Sequence, residues 1–191
     1  MALELQLTTE RYTYDENGNR LTADFNYAQS PISATYDLQD RMETYGNNTY
    51  TYTLNGSLLT KSNAEGTTKY SYDAMGNLLR IKLPDTRVIT YQIDARGRRV
   101  GKKVNGSFQY GFIYSTQLNP IAKVDVNGNI LEQYIYGMKS NVPEYIIKGN
   151  KNYKIISNHL GSPVMVVDLS DNSVVKNMKY DSFGNIRRFC S

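Results

Sequence analysis

The 191-residue sequence contains one cysteine, one histidine and no tryptophan. Cys190 lies next to the C-terminus and cannot form a disulfide within the chain, so it could pair only with another chain. One histidine and one remote cysteine are too few for a tetrahedral metal site. We therefore expect no metal and no other cofactor.

Long apolar runs are also absent. No stretch approaches the ~20 apolar residues that a membrane-spanning helix needs. The N-terminus, MALELQLTTE, has neither the basic start nor the apolar segment of a signal peptide. We therefore expect no membrane span and no signal peptide in this sequence.

Charge and composition indicate a folded chain with no strong electrostatic preference. A formal net charge of +4 and a pI near 9.0 are mild for this length, so no nucleic-acid partner is expected. A hydrophobic content of 40% is enough for a folded core. The 17 tyrosines far outnumber the 5 phenylalanines, and each hydroxyl needs a partner or water. Such rings suit half-exposed β-sheet surfaces.

Internal repeats dominate the sequence. Up to residue 105 a turn motif, Tyr-Asp-x-x-Gly-Asn-x-apolar, recurs about every 20 residues, and longer intervals follow. A variant, YDLQDRME (36–43), has Asp40 in place of the glycine. The clearest copies are YDENGNRL (14–21), YTLNGSLL (52–59), YDAMGNLL (72–79), IDARGRRV (93–100), VDVNGNIL (124–131) and YDSFGNIR (180–187).

Each repeat predicts a β-hairpin. Residues before the turn alternate, as Tyr70 and Tyr72 do with Lys69 and Ser71, which is typical of a strand with one ring-bearing face. Aspartate can accept hydrogen bonds from the turn backbone, and glycine adopts positive φ without steric cost. The predicted turn residues are Tyr14, Asp15, Gly18, Tyr72, Asp73, Gly76, Asp94, Gly97, Asp125, Gly128, Tyr180, Asp181 and Gly184.

Because a lone hairpin is only marginally stable, consecutive hairpins should pair side by side. The expected fold is therefore all-β, with consecutive antiparallel hairpins forming an elongated, twisted and curved sheet with little or no helix. One ring-bearing face of this sheet should be buried.

Six ordered repeats and the motif His159-Leu160-Gly161-Ser162-Pro163 resemble the YD repeats of bacterial RHS proteins, a repeat type also found in toxin-complex shells and animal teneurins. The resemblance extends from about residue 11 to 188 and is sharpest in 83–106 and 151–168. It implies a β-sheet strip that spirals into a hollow shell around a C-terminal cargo, commonly a toxin. It also implies a secreted or cell-surface location.

The sequence departs from the family pattern at its C-terminus. Members of the family usually continue into a core with an Asp-Pro motif linked to self-cleavage, followed by variable cargo. Here the sequence ends in FGNIRRFCS and contains no Asp-Pro dipeptide, so we expect neither self-cleavage nor cargo within it. We expect a piece of such a protein, with a lead-in at 1–10, regular repeats at 11–107 and longer, interrupted repeats at 108–191.

Catalytic and metal-binding alternatives depend on few residues. A hydrolase would need His159 with Ser157 or Ser162 as nucleophile and Asp168 to orient the histidine. A structural turn at this motif is favoured instead. The turns DENGN and DVNGN faintly suggest calcium but lack a later bidentate acid. An enzyme, including an aspartate-based self-protease, is the least favoured class.

Two non-catalytic functions remain. The favoured one is a section of shell wall whose partners are the remaining shell segments or a cargo or toxin domain, with self-association through open sheet edges. The other is a surface module that recognises carbohydrate or a partner protein through an aromatic face or sheet edge. A basic stretch could bind phosphate or an acidic cargo surface, but a solvated strand or sheet edge is favoured. Its residues are Arg96, Arg98, Arg99, Lys102 and Lys103.

Overall fold

The computed structural model describes residues 9–25 and 30–187. Every regular element in these residues is a β-strand, and neighbouring strands pair antiparallel in chain order. This confirms the predicted all-β fold of consecutive hairpins. Among the described residues there is no helix with the length and apolar character needed to cross a membrane.

The chain divides into two compact units, Met1–Val88 and Ile89–Ser191. In the first unit, each strand pairs with the next along the chain. Its strands are β1 (Glu10–Tyr14), β2 (Arg20–Phe25), β3 (Ile32–Tyr36), β4 (Met42–Tyr45), β5 (Asn48–Tyr52), β6 (Leu58–Asn63), β7 (Gly66–Tyr72) and β8 (Leu78–Lys82).

The second unit repeats this arrangement. Its strands pair in order from β9 to β17, and β18 and β19 form a final two-stranded hairpin. They are β9 (Val88–Ile93), β10 (Arg99–Val104), β11 (Ser107–Tyr114), β12 (Pro120–Val124), β13 (Ile130–Tyr136), β14 (Pro143–Lys148), β15 (Lys151–Ser157), β16 (Pro163–Asp168), β17 (Val174–Asn177), β18 (Lys179–Tyr180) and β19 (Ile186–Arg187).

Two kinds of turn occur among the described hairpins of the first unit. Long turns of five residues join β1 to β2, β3 to β4, β5 to β6 and β7 to β8. Tight two-residue turns join β4 to β5 and β6 to β7. Because strand direction alternates, these four long turns all lie at the same strand ends of the unit. The pairing register shifts by one residue beside each of them, as it does between Ser71 and Tyr72.

The buried core is small. The buried apolar residues among those described are Ala23, Phe25, Ala34, Ala122, Ile155 and Met178, three of which are alanines. Tyrosines such as Tyr50, Tyr52, Tyr70 and Tyr72 are only half-buried. The expected burial of the ring-bearing face is therefore partial, and cross-strand side-chain pairs must supply much of the stability.

Threonine pairs are one such set of cross-strand contacts on the opposite face of the first unit. The hydroxyl oxygens of Thr51 and Thr60 lie 2.6 Å apart, and those of Thr35 and Thr44 lie 2.8 Å apart. Both pairs join directly opposite residues of neighbouring strands. The exposed face is thus tied together by short hydroxyl hydrogen bonds.

Candidate functional site

The aspartate of each repeat organises the backbone of its long turn. Oδ1 of Asp73 accepts hydrogen bonds from the backbone N–H groups of Met75, at 2.9 Å, and Asn77, at 2.8 Å. Its Oδ2 accepts a third from the Asn77 side chain at 2.8 Å. These bonds favour the charged carboxylate, and the one from the Asn77 side chain contributes most to lowering the pKa of Asp73. Asp15, Asp125 and Asp181 make the same three bonds.

Two turns replace the final asparagine with arginine. Asp94 pairs with Arg98 through an ion pair of 2.7 Å, and Asp37 pairs with Arg41 at 2.6 Å. In both turns the hydrogen bond from the arginine side chain is the main cause of a lowered aspartate pKa. The turn therefore keeps its geometry while the partner of its carboxylate changes.

The fourth turn residue adopts positive φ. At Gly76 φ is 84°, and a Cβ there would contact nothing within 4 Å, so backbone conformation rather than space favours glycine. Asp40 occupies the corresponding position of its turn at φ 58°. The other predicted turn glycines lie in the same left-handed region: Gly18 (86°), Gly97 (75°), Gly128 (83°) and Gly184 (82°).

The tyrosine that precedes a long turn reaches the neighbouring strand. The hydroxyl of Tyr72 donates to the backbone carbonyl of Leu58, the first residue after the preceding long turn, at 2.9 Å. Tyr52 donates to the corresponding carbonyl of Met42 at 2.7 Å. We call this contact the tyrosine latch. The part of the chain that the structure describes contains six latches of 2.5–3.0 Å: Tyr36–Arg20, Tyr52–Met42, Tyr72–Leu58, Tyr114–Arg99, Tyr136–Pro120 and Tyr180–Pro163.

Arginines stack on some latch rings. The guanidinium carbon of Arg98 lies 4.9 Å from the ring centroid of Tyr114, and that of Arg41 lies 5.3 Å from the ring centroid of Tyr52. Each arginine also pairs with the aspartate of its own turn. One side chain therefore connects the turn of one repeat with the latch of the next.

The latch was not predicted from the sequence, although a signal for it was present. Tyrosine rather than phenylalanine precedes the turns, which indicates that the hydroxyl as well as the ring is used. Nothing in the local pattern identifies the acceptor, because it lies 10–17 residues earlier in the chain.

The motif at 159–163 forms another long turn. The Asn158 N–H donates to the carbonyl of Ser162, and Asn158 Oδ1 accepts from the N–H groups of Leu160 and Ser162. Asn158 thus has the role that aspartate has in the other turns. Gly161 has φ 88°, and Pro163 begins β16 and supplies a latch acceptor. His159 and Leu160 are exposed.

Three long turns depart from the expected pattern. Leu83–Arg87 and Asn158–Ser162 close with the same two backbone hydrogen bonds without the Tyr-Asp letters, whereas Ser115–Asn119 shows only the bond from its first N–H to its last carbonyl. The turn at Asp125 has the Asp-x-x-Gly-Asn residues, but it follows β12, which runs antiparallel to β9, and so it lies at the opposite strand ends of its unit from the turn at Asp94. Its preceding residue, Val124, cannot make a latch.

The structure does not bring together the residues that the hydrolase alternative requires. His159 precedes β16 and Asp168 ends it, so six extended residues, or ~20 Å, separate them. Asp168 instead accepts from Lys151 Nζ at 2.7 Å and from Ser170 Oγ at 2.7 Å. Within residues 9–25 and 30–187, no cluster of three or more histidine, cysteine, aspartate or glutamate side chains could hold a metal ion.

The basic stretch is not a sheet edge. β10 pairs with β9 on one side and β11 on the other, so the interpretation of Lys102 and Lys103 as edge guards is wrong. Arg98 pairs with Asp94 and lies in the turn, and the Arg99 guanidinium carbon lies 3.8 Å from the ring centroid of Tyr91. Arg98 therefore contacts an aspartate of its own turn, and Arg99 contacts a tyrosine ring of the neighbouring strand.

This chain is similar to short parts of much longer proteins. It is 27% identical over 182 residues to tRNA3(Ser)-specific nuclease WapA of Bacillus spizizenii, covering 93% of this chain and 8% of that protein. It is 25% identical over 180 residues to Teneurin-3 of Mus musculus, covering 92% and 6%. The chain thus spans less than a tenth of the length of either relative.

Among solved structures, TcdB2-TccC3 matches with 13% sequence identity and a TM-score of 0.47, covering 94% of this chain and 12% of that one. The family model described as the teneurin YD-shell matches residues 3–188, nearly the whole sequence. The resemblance to YD repeats is confirmed, and the chain belongs to the teneurin YD-shell family.

Proposed function

We propose that the chain is a section of the wall of a YD-repeat shell, which encloses or presents a cargo domain located outside these 191 residues. The chain itself contributes structure and no catalysis. The tyrosine latch carries this proposal, because the most distinctive side chains of the repeat bond strand to strand. Its partners are the remaining shell segments or a cargo or toxin domain, and its expected location is secreted or cell-surface.

The lengths of the relatives support a structural role for the repeats and an activity located elsewhere in the longer protein. WapA is named a nuclease, yet this chain corresponds to only 8% of it. Under the proposal, the nuclease activity of such a relative belongs to sequence outside the matched repeats. The family match covers the repeats themselves.

The small number of buried residues is consistent with each unit being part of a wall. Few residues are buried, and ring-bearing and hydroxyl-bearing side chains occupy opposite faces of the first unit. A wall must present one face to its contents and the other to its surroundings. The half-buried tyrosine face would gain burial when further segments or cargo cover it.

Sedimentation velocity tests the proposal. The purified chain is measured over a hundredfold range of concentration, alone and with the protein region encoded next to it. Co-sedimentation with that region is expected, and the apolar surface of the chain should become protected. A chain that ignores its neighbour and remains a monomer would contradict the wall and favour a binding module.

An open cleft in the first unit favours carbohydrate recognition as a second candidate. The cleft has a volume of about 550 Å³, within the usual range for ligand sites. Its lining combines the Tyr70 ring with the apolar side chains of Ile81 and Pro84. Polar groups at the rim include Lys61, Glu65 and the ion pair of Arg87 with Asp85 at 2.7 Å. An aromatic platform with balanced charges suits a neutral sugar better than an anion.

Calorimetric titration with neutral oligosaccharides tests this candidate. Binding should be lost in Tyr70→Ala and retained in the matched variant Tyr153→Ala, which alters a half-buried tyrosine of the second unit. Equal binding by both variants, or none by the unmodified chain, would remove carbohydrate from consideration at this cleft.

A further inference from the structure

The ring-bearing face of the second unit carries a row of lysines. Lys123 lies opposite Phe112 on one side and opposite Glu132 on the other. Lys148 extends the row, because its Nζ atom lies 3.2 Å from the Glu132 carboxylate, and Lys151 lies opposite Lys148. The neighbouring strands β11 to β15 thus contribute one residue each, and three of these residues are lysines.

A fourth ammonium group lies on the same face. Lys102 is opposite Tyr110, which is two residues before Phe112 in β11, so the rings of Tyr110 and Phe112 share a face. The Nζ atoms of Lys102 and Lys123 lie 5.8 Å and 4.9 Å from the ring centroid of Tyr110. Both are within the range of cation–π attraction to this ring. We call the four residues the lysine patch: Lys102, Lys123, Lys148 and Lys151.

Too few carboxylates face the lysine patch to neutralise it. Glu132 pairs with Lys123 at 3.5 Å and with Lys148 at 3.2 Å, and Asp168 pairs with Lys151 at 2.7 Å. Within residues 9–25 and 30–187, no carboxylate forms an ion pair with Lys102. Four ammonium groups thus share two carboxylates, which leaves the patch positively charged.

Two lysines of the patch repel each other across the sheet. Like charges directly opposite each other on neighbouring strands are destabilising, and Lys148 and Lys151 are such a pair. Their side chains are 63% and 55% exposed, so their ammonium groups are accessible to a partner. A negatively charged partner would offset this repulsion.

Glu132 demonstrates how this face holds a carboxylate. Its side chain is only 16% exposed, and it accepts a hydrogen bond from the hydroxyl of Tyr134 at 2.8 Å in addition to its lysine contacts. Burial acts to raise the pKa of Glu132, but the hydrogen bonds from Tyr134 and Lys148 outweigh burial and the pKa is lowered. Lysine and tyrosine side chains together therefore stabilise an ionised carboxylate on this face.

We propose that the lysine patch binds an acidic polypeptide segment that covers the ring-bearing face of the second unit. Glutamate or aspartate side chains of the partner pair with Lys102, Lys148 and Lys151, as Glu132 pairs with Lys123 within the chain. This inference rests on the proposed wall function, and it names the chemistry of the shell segment or cargo that lies against this part of the wall.

Carboxylates fit the patch better than the phosphates of a nucleic acid. Arginine recognises phosphate with paired hydrogen bonds, whereas lysine acts as a point charge. The arginines closest in sequence to Lys102 already have other contacts, since Arg98 pairs with Asp94 and Arg99 stacks on Tyr91. The patch therefore offers only lysines, and its small excess of positive charge is little for a polyanion.

Fluorescence anisotropy with a labelled oligoglutamate peptide tests the lysine patch. The unmodified chain should bind the peptide, and binding should weaken as the salt concentration rises. Lys102→Gln should weaken binding about twofold to fivefold, as expected for one partly exposed ion pair. The matched control is Lys103→Gln, which removes the same charge from the next residue of β10, whose side chain points to the opposite face.

The variant Glu132→Gln tests the charge balance in the opposite direction. It removes the carboxylate that engages Lys123 and Lys148, so the affinity for oligoglutamate should rise. Glu43→Gln, which removes an exposed carboxylate of the first unit, should have a smaller effect. If Glu132→Gln loses its β-sheet circular dichroism, the comparison of Lys102→Gln with Lys103→Gln decides alone.

Three results would count against the proposal. Absence of oligoglutamate binding, or equal weakening by Lys102→Gln and Lys103→Gln, would overturn the patch as a site. Tighter binding of a single-stranded oligonucleotide of equal charge would overturn a polypeptide as its partner. Co-sedimentation with the neighbouring encoded region, without oligoglutamate binding, would support the wall and remove only this patch, so the two proposals fail separately.

Discussion

At the scale of the residue, a tyrosine before the turn performs two tasks that phenylalanine could not combine. Its ring lies half-buried on the sheet, and its hydroxyl donates to a carbonyl beside the register shift of the neighbouring strand. The pairing of β6 with β7 begins at Thr60 and Lys69, so the latch contacts Leu58 beyond the paired residues of these two strands. Burial is the main cause of the raised pKa of Tyr72.

The variant Tyr72→Phe should lower the free energy of unfolding by about 1 kcal/mol, the usual net contribution of one neutral hydrogen bond. The matched control is Tyr70→Phe, in the same strand and on the same face, whose hydroxyl makes no hydrogen bond to the described chain. Urea unfolding should distinguish them. Equal effects of the two variants would mean that the latch adds nothing to ring burial.

At the scale of the element, the buried carboxylate of Asp168 links β15, the end of β16 and the turn that follows β16. Asp168 is 2% exposed at the end of β16, and it accepts from Lys151 at the start of β15 and from Ser170 in the following turn. The backbone N–H of Leu169 also donates to the carbonyl of Asn152 at 2.9 Å. Three successive elements are thus joined at one carboxylate.

Acid should weaken the contacts of Asp168 with Lys151 and Ser170. The hydrogen bond from Lys151 is the largest cause that lowers the pKa of Asp168 from 3.8 to about 2. Because the pKa is lower in the folded state, the ionised carboxylate stabilises the fold above about pH 4, and this contribution is lost as pH falls through about 2. Hydrogen exchange at β15–β17 should rise over that interval.

The variant Asp168→Asn provides the comparison for acid loosening. It should already exchange faster near neutral pH and should show a flatter response between about pH 4 and about pH 2. An unchanged acid response in this variant would assign the pH dependence to other carboxylates.

At the scale of the whole molecule, stability depends on many similar contacts and not on one large core. The buried apolar residues among those described are few, whereas latches, turn carboxylates and threonine pairs recur in successive hairpins. In a repeat protein each unit gains stability mainly from its neighbours. The predicted boundaries at residues 10 and 107 stay predictions.

Alkaline pH should therefore destabilise many repeats together. Burial is the main cause that raises the pKa of Tyr50, Tyr52, Tyr72 and Tyr136 above 10.0. Their protonated forms contribute stability that is complete below about pH 10 and is lost as pH rises through their raised folded-state values. Phenolate absorbance and β-sheet circular dichroism, followed over the same range, should change together. Full ionisation with an unchanged sheet signal would contradict this coupling.

Much of the fold could be predicted because its determinants are local. Alternating side chains and the Asp-x-x-Gly turn specify hairpins within a few residues, since a turn carboxylate bonds only to the next few backbone groups. The same local pattern was enough to indicate the YD-repeat family. It could not identify the turn at Ser115–Asn119, which makes the closing hydrogen bond from the Ser115 N–H to the Asn119 carbonyl with other side chains.

The hairpins, their order and the residues that close the turns could be predicted from the sequence, because these depend on backbone preferences of neighbouring residues. The carbonyl that each latch tyrosine bonds, the strand ends at which the turn at Asp125 lies, and the contact of Lys151 with Asp168 depend on the folded sheet. Those features depend on pairing register and on the number of strands between turns. Small changes in strand length alter both without changing the repeat motif.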